Sequence, residues 1–326
     1  MNHSDLAPKF HDANAAWDQW RTRLLAQWQR FAEQEADSSL YLLADARGNP
    51  GLDKLLMQVP DAKWSSLWQG SVIETYADIA PYLIQVDPLA LEEPRELTGR
   101  LFRRLWMEGQ SRFMLTWIWS PLSLVALDRH LKFYTRYATP DKREFFLHFY
   151  DNRILARLRS VWTDAQAKSF VAPCHELSYC NRDFSEIVWR NDEIAVQAHA
   201  EEMLQLSADQ QAQLYALGHA DKLMMKLREL YGEMLDESSE ESLHLRVTEQ
   251  IERATRYRIK DDDDFLNYAV KGIMFSPTFD EHPVIQERLG RALSGEITHR
   301  EALTGLDRNV IRELERMSES LAFSRA

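Results

Sequence analysis

Three stretches of the chain gather side chains capable of chemistry. The first is "FFLHFYDNRILARL", residues 145–158, which brings His148, Asp151 and Arg153 to the point where an aromatic run turns into a helical pattern. Many α/β enzymes keep reactive groups at such strand-to-helix turns. Here the chemistry would be a general base, His148, oriented by Asp151. The second is Cys174, His175 and Cys180, three ligand types where a structural zinc site needs four. The third is the acidic run Asp261–Asp264. A calcium loop starting at Asp261 needs a central glycine and a terminal glutamate, but Leu266 and Gly272 stand at those positions.

Each stretch also has a plainer reading, and the sequence favours it. Asp151 falls just before Ile154 and Leu155 open an apolar stripe, which is where an N-cap carboxylate accepts bonds from free helix N–H groups. Arg153, poorly placed for the helix dipole, is expected to reach a carboxylate, with Asp45 as the candidate. The two cysteines read as buried thiols. The four aspartates read as the N-terminus of the helix that continues through "FLNYAV". The sequence has no G-x-S-x-G elbow, no H-E-x-x-H and no phosphate-binding loop. No catalytic residue, metal ligand or cofactor is therefore assigned.

The elements that must position these residues can be read from periodicity. Trp17, Trp20, Leu24, Trp28 and Phe31 recur at spacings of three and four, predicting an amphipathic helix over 11–36. Packed on its own domain, that helix is core; exposed, Trp17, Trp20 and Trp28 would be partner anchors. Short apolar runs at 40–45, 80–86 and 112–120 predict strands, with helices at 94–108 and 121–131. "KFYTRYA" and "EFFLHFY" predict two aromatic strands paired as a hairpin, with Phe146, His148 and Tyr150 on one face. The helix "NRILARLRSVW" closes the series. From about 190 onward strands stop and helical patterns take over, beginning at Ser207 as an N-cap. The expected architecture is an amphipathic N-terminal helix (1–37), then an α/β lobe (38–190) with a mixed, partly antiparallel sheet and flanking helices. An acidic all-α lobe (191–326) follows.

Charge is unevenly spread along the 326 residues, whose formal net charge is −12. Residues 1–180 carry 21 Lys and Arg against 22 Asp and Glu; residues 181–326 carry 18 against 29. The second half would repel phosphate backbones, so nucleic acid is not an expected partner, and Asp261 and Asp262 become candidates for docking something basic. The first thirty residues hold no signal-type apolar core and no apolar run of 18 residues occurs, so neither secretion nor a membrane is expected. With two cysteines and no disulfide framework, a cytoplasmic location fits.

The order of "YLLADAR" (41–47), "WSSLWQG" (64–70), "APYLIQV" (80–86), "SPLSLVALDRHLKFY" (120–134) and "FFLHFYDNRILARL" resembles the effector adaptor, or chaperone, proteins of bacterial type VI secretion. "IERATRYRIKDDDDFLNYAVKGIMF" (251–275) resembles a helical tail common among them. The resemblance implies a non-enzymatic protein that binds a secreted effector, through its N-terminal or PAAR-like region, and helps load it onto the VgrG spike. It marks Asp45, Tyr150, Asp151 and Arg153 as structural motif residues. His148 stands where the family usually has arginine and Asn152 where it usually has proline, so one ion pair at the strand end is expected to be absent or replaced. The alternatives are a hydrolase using His148 and Asp151, and an immunity or regulatory protein that binds a basic toxin.

Overall fold

A computed structural model describes residues 13–34, 38–92, 97–109, 112–191, 193–195, 202–235, 239–314 and 316. Its contacts divide the chain into two compact units, one spanning Ala7–Ala216 and one containing Leu217–Ala326.

The first unit is built on a six-stranded sheet. In chain order its elements begin with α1 (Ala13–Gln34), β1 (Ser39–Asp45), α2 (Leu52–Met57), β2 (Lys63–Ser66), β3 (Pro81–Val86) and α3 (Leu97–Gly109). They continue with β4 (Leu115–Ser120), α4 (Leu124–Phe133), β5 (Arg136–Ala138), β6 (Glu144–Phe146), α5 (Asn152–Val161) and α6 (Asp164–Val171). β7 (Glu176–Cys180), β8 (Glu186–Arg190), β9 (Leu204–Gln205) and α7 (Ala208–Leu235) complete the series, and α7 crosses the division between the units. The large sheet runs β2-β3-β1-β4-β7-β8 with every neighbour antiparallel. Among the described residues the one parallel pairing, β5 with β9, lies in a separate three-stranded sheet ordered β6-β5-β9.

The central strands β1 and β4 are buried along almost their whole length because both sheet faces are covered. On one face Trp117 and Trp119, level with Leu42 and Leu40, meet Trp20 and Phe31 of α1 at ring-centroid distances of 4.6 and 5.4 Å. On the other, Tyr41 donates to the Leu122 carbonyl and Thr116 to Asn152 of α5. A strand covered on both sides has no polar face, which is why these two read as continuous apolar runs.

Three expectations need correcting. "KFYTRYA" is not all strand, since Lys132 and Phe133 form the last turn of α4 and β5 has only three residues. β6 stops at Phe146, so His148 and Tyr150 do not share a strand face. Leu147, Phe149 and Tyr150 are all buried, and a strand with one covered face cannot bury neighbours at 149 and 150 together. Strands also continue past 190, through the two-residue β9, and the β7–β8 hairpin supplies two of the six large-sheet strands.

The second unit is helical. It contains the later part of α7, α8 (Glu240–Arg256), α9 (Asp262–Met274), α10 (Pro283–Leu293) and α11 (His299–Leu303), with residues 308–314 also helical. Leu223, Leu227, Val247, Tyr268, Phe279 and Leu289 lie in its core. Arg253 is buried there against Asp280, with Nε 2.9 Å from Oδ1, and Tyr257 donates to the same carboxylate at 3.2 Å. Among the described residues no helix is long and apolar enough to cross a membrane.

Candidate functional site

The junction singled out in the sequence is made of the same local device used twice. Asp45, ending β1, accepts from the Arg47 backbone N–H at 3.0 Å and from the Arg47 side chain through both carboxylate oxygens. Asp151, capping α5, accepts from the Arg153 backbone N–H at 3.0 Å and from its Nε and Nη2 at 3.0 and 2.9 Å. In each Asp–x–Arg unit the carboxylate starts a helical turn and chelates the guanidinium two residues on. The start of β4 brings the two units together: the Asp45 N–H donates to the Met114 carbonyl at 2.9 Å, and the Asn152 N–H donates to Phe113 at 3.0 Å. Phe113 itself sits at φ 55°, in the left-handed region.

Arg47 then spans the gap. Its Nη2 lies 3.6 Å from Asp151 Oδ2, and its guanidinium stands 5.3 Å from the centroid of the Tyr150 ring. The carboxylate that Arg153 chelates is Asp151 on its own turn, while Asp45, expected to pair with Arg153, is chelated by Arg47. Arg47 is the residue that sequence reasoning passed over. Its signal was present as the repeated Asp–x–Arg spacing at 45–47 and 151–153.

Electrostatics fix the state of each group. Burial pushes the His148 imidazole below its ordinary value, and the Arg47 cation pushes the same way. Burial pushes the Tyr150 phenol up. Burial also disfavours the Asp151 carboxylate, but the Arg153 hydrogen bonds and the Arg153 and Arg47 charges outweigh it and hold the group below the usual range. Burial opposes the Arg47 cation, and its bonds to Asp45 more than offset that. His148 Nδ1 lies 2.5 Å from the Tyr150 hydroxyl, while Asp151 is committed to two guanidinium groups. The orienting contact of a His–Asp pair, carboxylate to imidazole, is therefore replaced by carboxylate to arginine. This arrangement can fasten the end of β1 to the start of α5.

Asn152 is integrated in the same way. Its side-chain amide donates to the Leu115 carbonyl at 2.9 Å and its oxygen accepts from the Thr116 hydroxyl at 3.0 Å, all in a buried setting. A proline at this position would offer neither bond and no N–H for Phe113.

Trp17 and Trp20 are buried within the first unit, where Trp17 meets Trp106 of α3 at 5.6 Å, and Trp28 is half-buried beside the same core. α1 is also tied to β7, the neighbour of β4. Gln27 donates to buried Glu176, whose carboxylate takes Arg190 at 3.1 Å and Arg30 at 3.8 Å. Asp261 caps α9 through the N–H groups of Asp263 and Asp264 at 2.9 and 3.3 Å. Asp262 pairs with Lys222 and His219 of α7. Cys174 lies two residues before β7 and Cys180 ends it, with the four strand steps from Glu176 to Cys180 spanning about 13 Å. His175 stacks on Phe31 and meets Ser38 at 2.9 Å. Among the described residues no group of three or more His, Cys, Asp and Glu is placed to hold a metal ion.

Residues 40–169 match the family model described as "Domain of unknown function (DUF4123)". The match runs from β1 into α6. The DUF4123 span covers less than half of the sequence, and both Asp–x–Arg units fall inside it. β7, β8 and the second unit lie outside it. No curated protein and no solved structure matches the chain.

Proposed function

We propose that this protein is a non-enzymatic effector adaptor of type VI secretion. In this reading it stays in the cytoplasm of the producing cell, holds one secreted effector by its N-terminal or PAAR-like region, and promotes its loading onto the VgrG spike. The observation that carries the reading is that the DUF4123 match falls on the ordered stretches that resemble those adaptors. The geometry supports it from a second direction. The conspicuous polar cluster, Asp45, Arg47, Asp151 and Arg153, is consumed in ion pairs that join elements of the fold. A carrier needs a folded docking surface rather than a reactive group.

The test is co-purification. The full chain, expressed with the effector and VgrG encoded beside its gene, should recover the effector and bridge it to VgrG, with the effector's toxicity left intact. Recovery of neither partner would sink the reading. Direct inhibition of a basic toxin would point instead to an immunity protein. Loss of a hydrolytic activity in His148→Ala, with unchanged melting temperature, would point to an enzyme.

A further inference from the structure

The first unit has an open groove of about 780 Å³ beside α4, lined by exposed Arg129 and reaching in to buried His130. Its lining includes Ala126, Arg129 and Phe133 of α4, with Leu122 just before the helix. The loop residues Leu67 and Gln69 to Val72, and Arg136 and Phe146 of the small sheet, line it as well. Val72 is 89% exposed and Phe146 42%, with Val125, 68% exposed, one turn before Arg129 on α4. Isolated exposed apolar side chains are ordinary, but a concave set of them beside fixed charges is the usual form of a recognition site.

The charges have a definite sign. The lining carries three cations, Arg129, Lys132 and Arg136, against one acid, Glu202, on a chain whose net charge is −12. Arg129 is exposed and makes no ion pair among the described residues. Lys132 holds Asp128 at 2.9 Å, and Arg136 holds Glu144 at 3.3 Å with both side chains largely in solvent. An exposed pair of that kind is worth little, so Arg136 can exchange Glu144 for another carboxylate at small cost. The groove thus offers apolar contacts flanked by guanidinium groups suited to carboxylates.

We propose that this groove receives an acidic, apolar-anchored segment of the cargo protein, Asp or Glu side chains meeting Arg129 and Arg136 while apolar ones seat between Val72, Phe133 and Phe146. The proposal rests on the adaptor reading and gives its docking site a chemistry. It also moves recognition from the acidic half of the chain to a basic face of the DUF4123 span.

The test uses the full-length chain and two probes: the intact product of the adjacent effector gene, and overlapping synthetic peptides that tile it. Fluorescence anisotropy should find the tightest peptide to be net acidic, with binding that weakens as salt rises. The double substitution Arg129→Glu with Arg136→Glu should weaken both probes about tenfold or more, and Phe146→Asp should do so separately. Circular dichroism melts of these surface variants should match the parent. Charge reversal of the peptide's acids to lysine should restore binding to the Arg129→Glu, Arg136→Glu chain. If the effector binds and these variants hold it as well as the parent, the groove proposal is overturned and the adaptor reading stands. If the parent binds no effector, the adaptor reading fails and takes the proposal with it. Self-association of the parent that these substitutions abolish would assign the groove to a second copy and overturn the proposal.

Discussion

Arg47 and Asp151 lie 104 positions apart in the chain, yet Nη2 and Oδ2 stand 3.6 Å apart, with Arg47 already chelating Asp45. One guanidinium thus links the two carboxylates that end β1 and begin α5, with Arg153 as the second cation at Asp151. Asp45 and Asp151 are both buried, so removing Arg47 takes from Asp45 the guanidinium that chelates it, while Asp151 keeps Arg153.

Arg47→Ala should therefore destabilise the first unit by about 3 kcal/mol. That is the low end of the range for breaking a buried pair, because the Arg47 side chain is itself a third exposed. Arg47→Lys should recover only part of the loss, since an ammonium cannot serve Asp45 through both oxygens. Urea titrations of the two variants measure the difference. Equal stability of Arg47→Ala and parent would show that the junction is held without this ion pair.

Asn152→Ala should cost about 2–3 kcal/mol, leaving the Thr116 hydroxyl and the Leu115 carbonyl without partners in the interior. Asn152→Pro should cost more, because it also removes the N–H that bonds Phe113. Thr116→Val should lower the penalty of Asn152→Ala when the two are combined. Thermal melts of the double-mutant cycle read that coupling directly.

The junction also makes stability depend on pH, in one direction for two reasons. His148 has a folded-state value below its ordinary 6.5, so the native state holds it neutral. Stability is full above 6.5 and falls as pH drops through the folded value. Asp151 is held below its ordinary 3.8, so its contribution is full above that value and disappears as pH falls further. His148→Gln should flatten the curve just below pH 6.5, and Asp151→Asn should flatten it below pH 3.8. Denaturation midpoints across that range separate the two.

In the second unit, Gly272→Ala should destabilise even though alanine favours helices. A Cβ at 272 collides with the Gln250 side chain, which is buried and donates to the Pro277 carbonyl at 3.1 Å. Overpacking of this kind typically costs about 1–3 kcal/mol. Combining the change with Gln250→Ala should return part of the stability, and a further loss in the combination would place the strain elsewhere.

The class of fold was legible because its longest signals are periodic. The Trp17-to-Phe31 stripe became α1, the run ending at Asp45 became β1, and the acids before Phe265 became the N-terminus of α9. Asp151 as an N-cap followed from its position before an apolar stripe. The strand-like run ending at Tyr150 misled, because aromatic residues favour strands and bury equally well in a tight turn. β7 and β8 were missed because five-residue strands, one almost wholly buried and the other mostly not, carry little periodic signal. The bridge from Arg47 to Asp151 depends on β4 gathering both ends at Phe113 and Met114, a tertiary arrangement that local spacing does not contain.

The partners of α1 come late in the chain. Trp20 rests on Trp117, and Phe31 on Trp119 and His175. During synthesis, at roughly 5–20 residues per second, the first helix emerges about 7–30 seconds before the last of these surfaces. For that interval a tryptophan-rich face waits without its cover, and the sheet that will provide it depends on long-range pairings that form slowly. The newborn chain is therefore most prone to clumping at its beginning, and lowering the expression temperature should raise the yield of folded protein more than truncating its helical end.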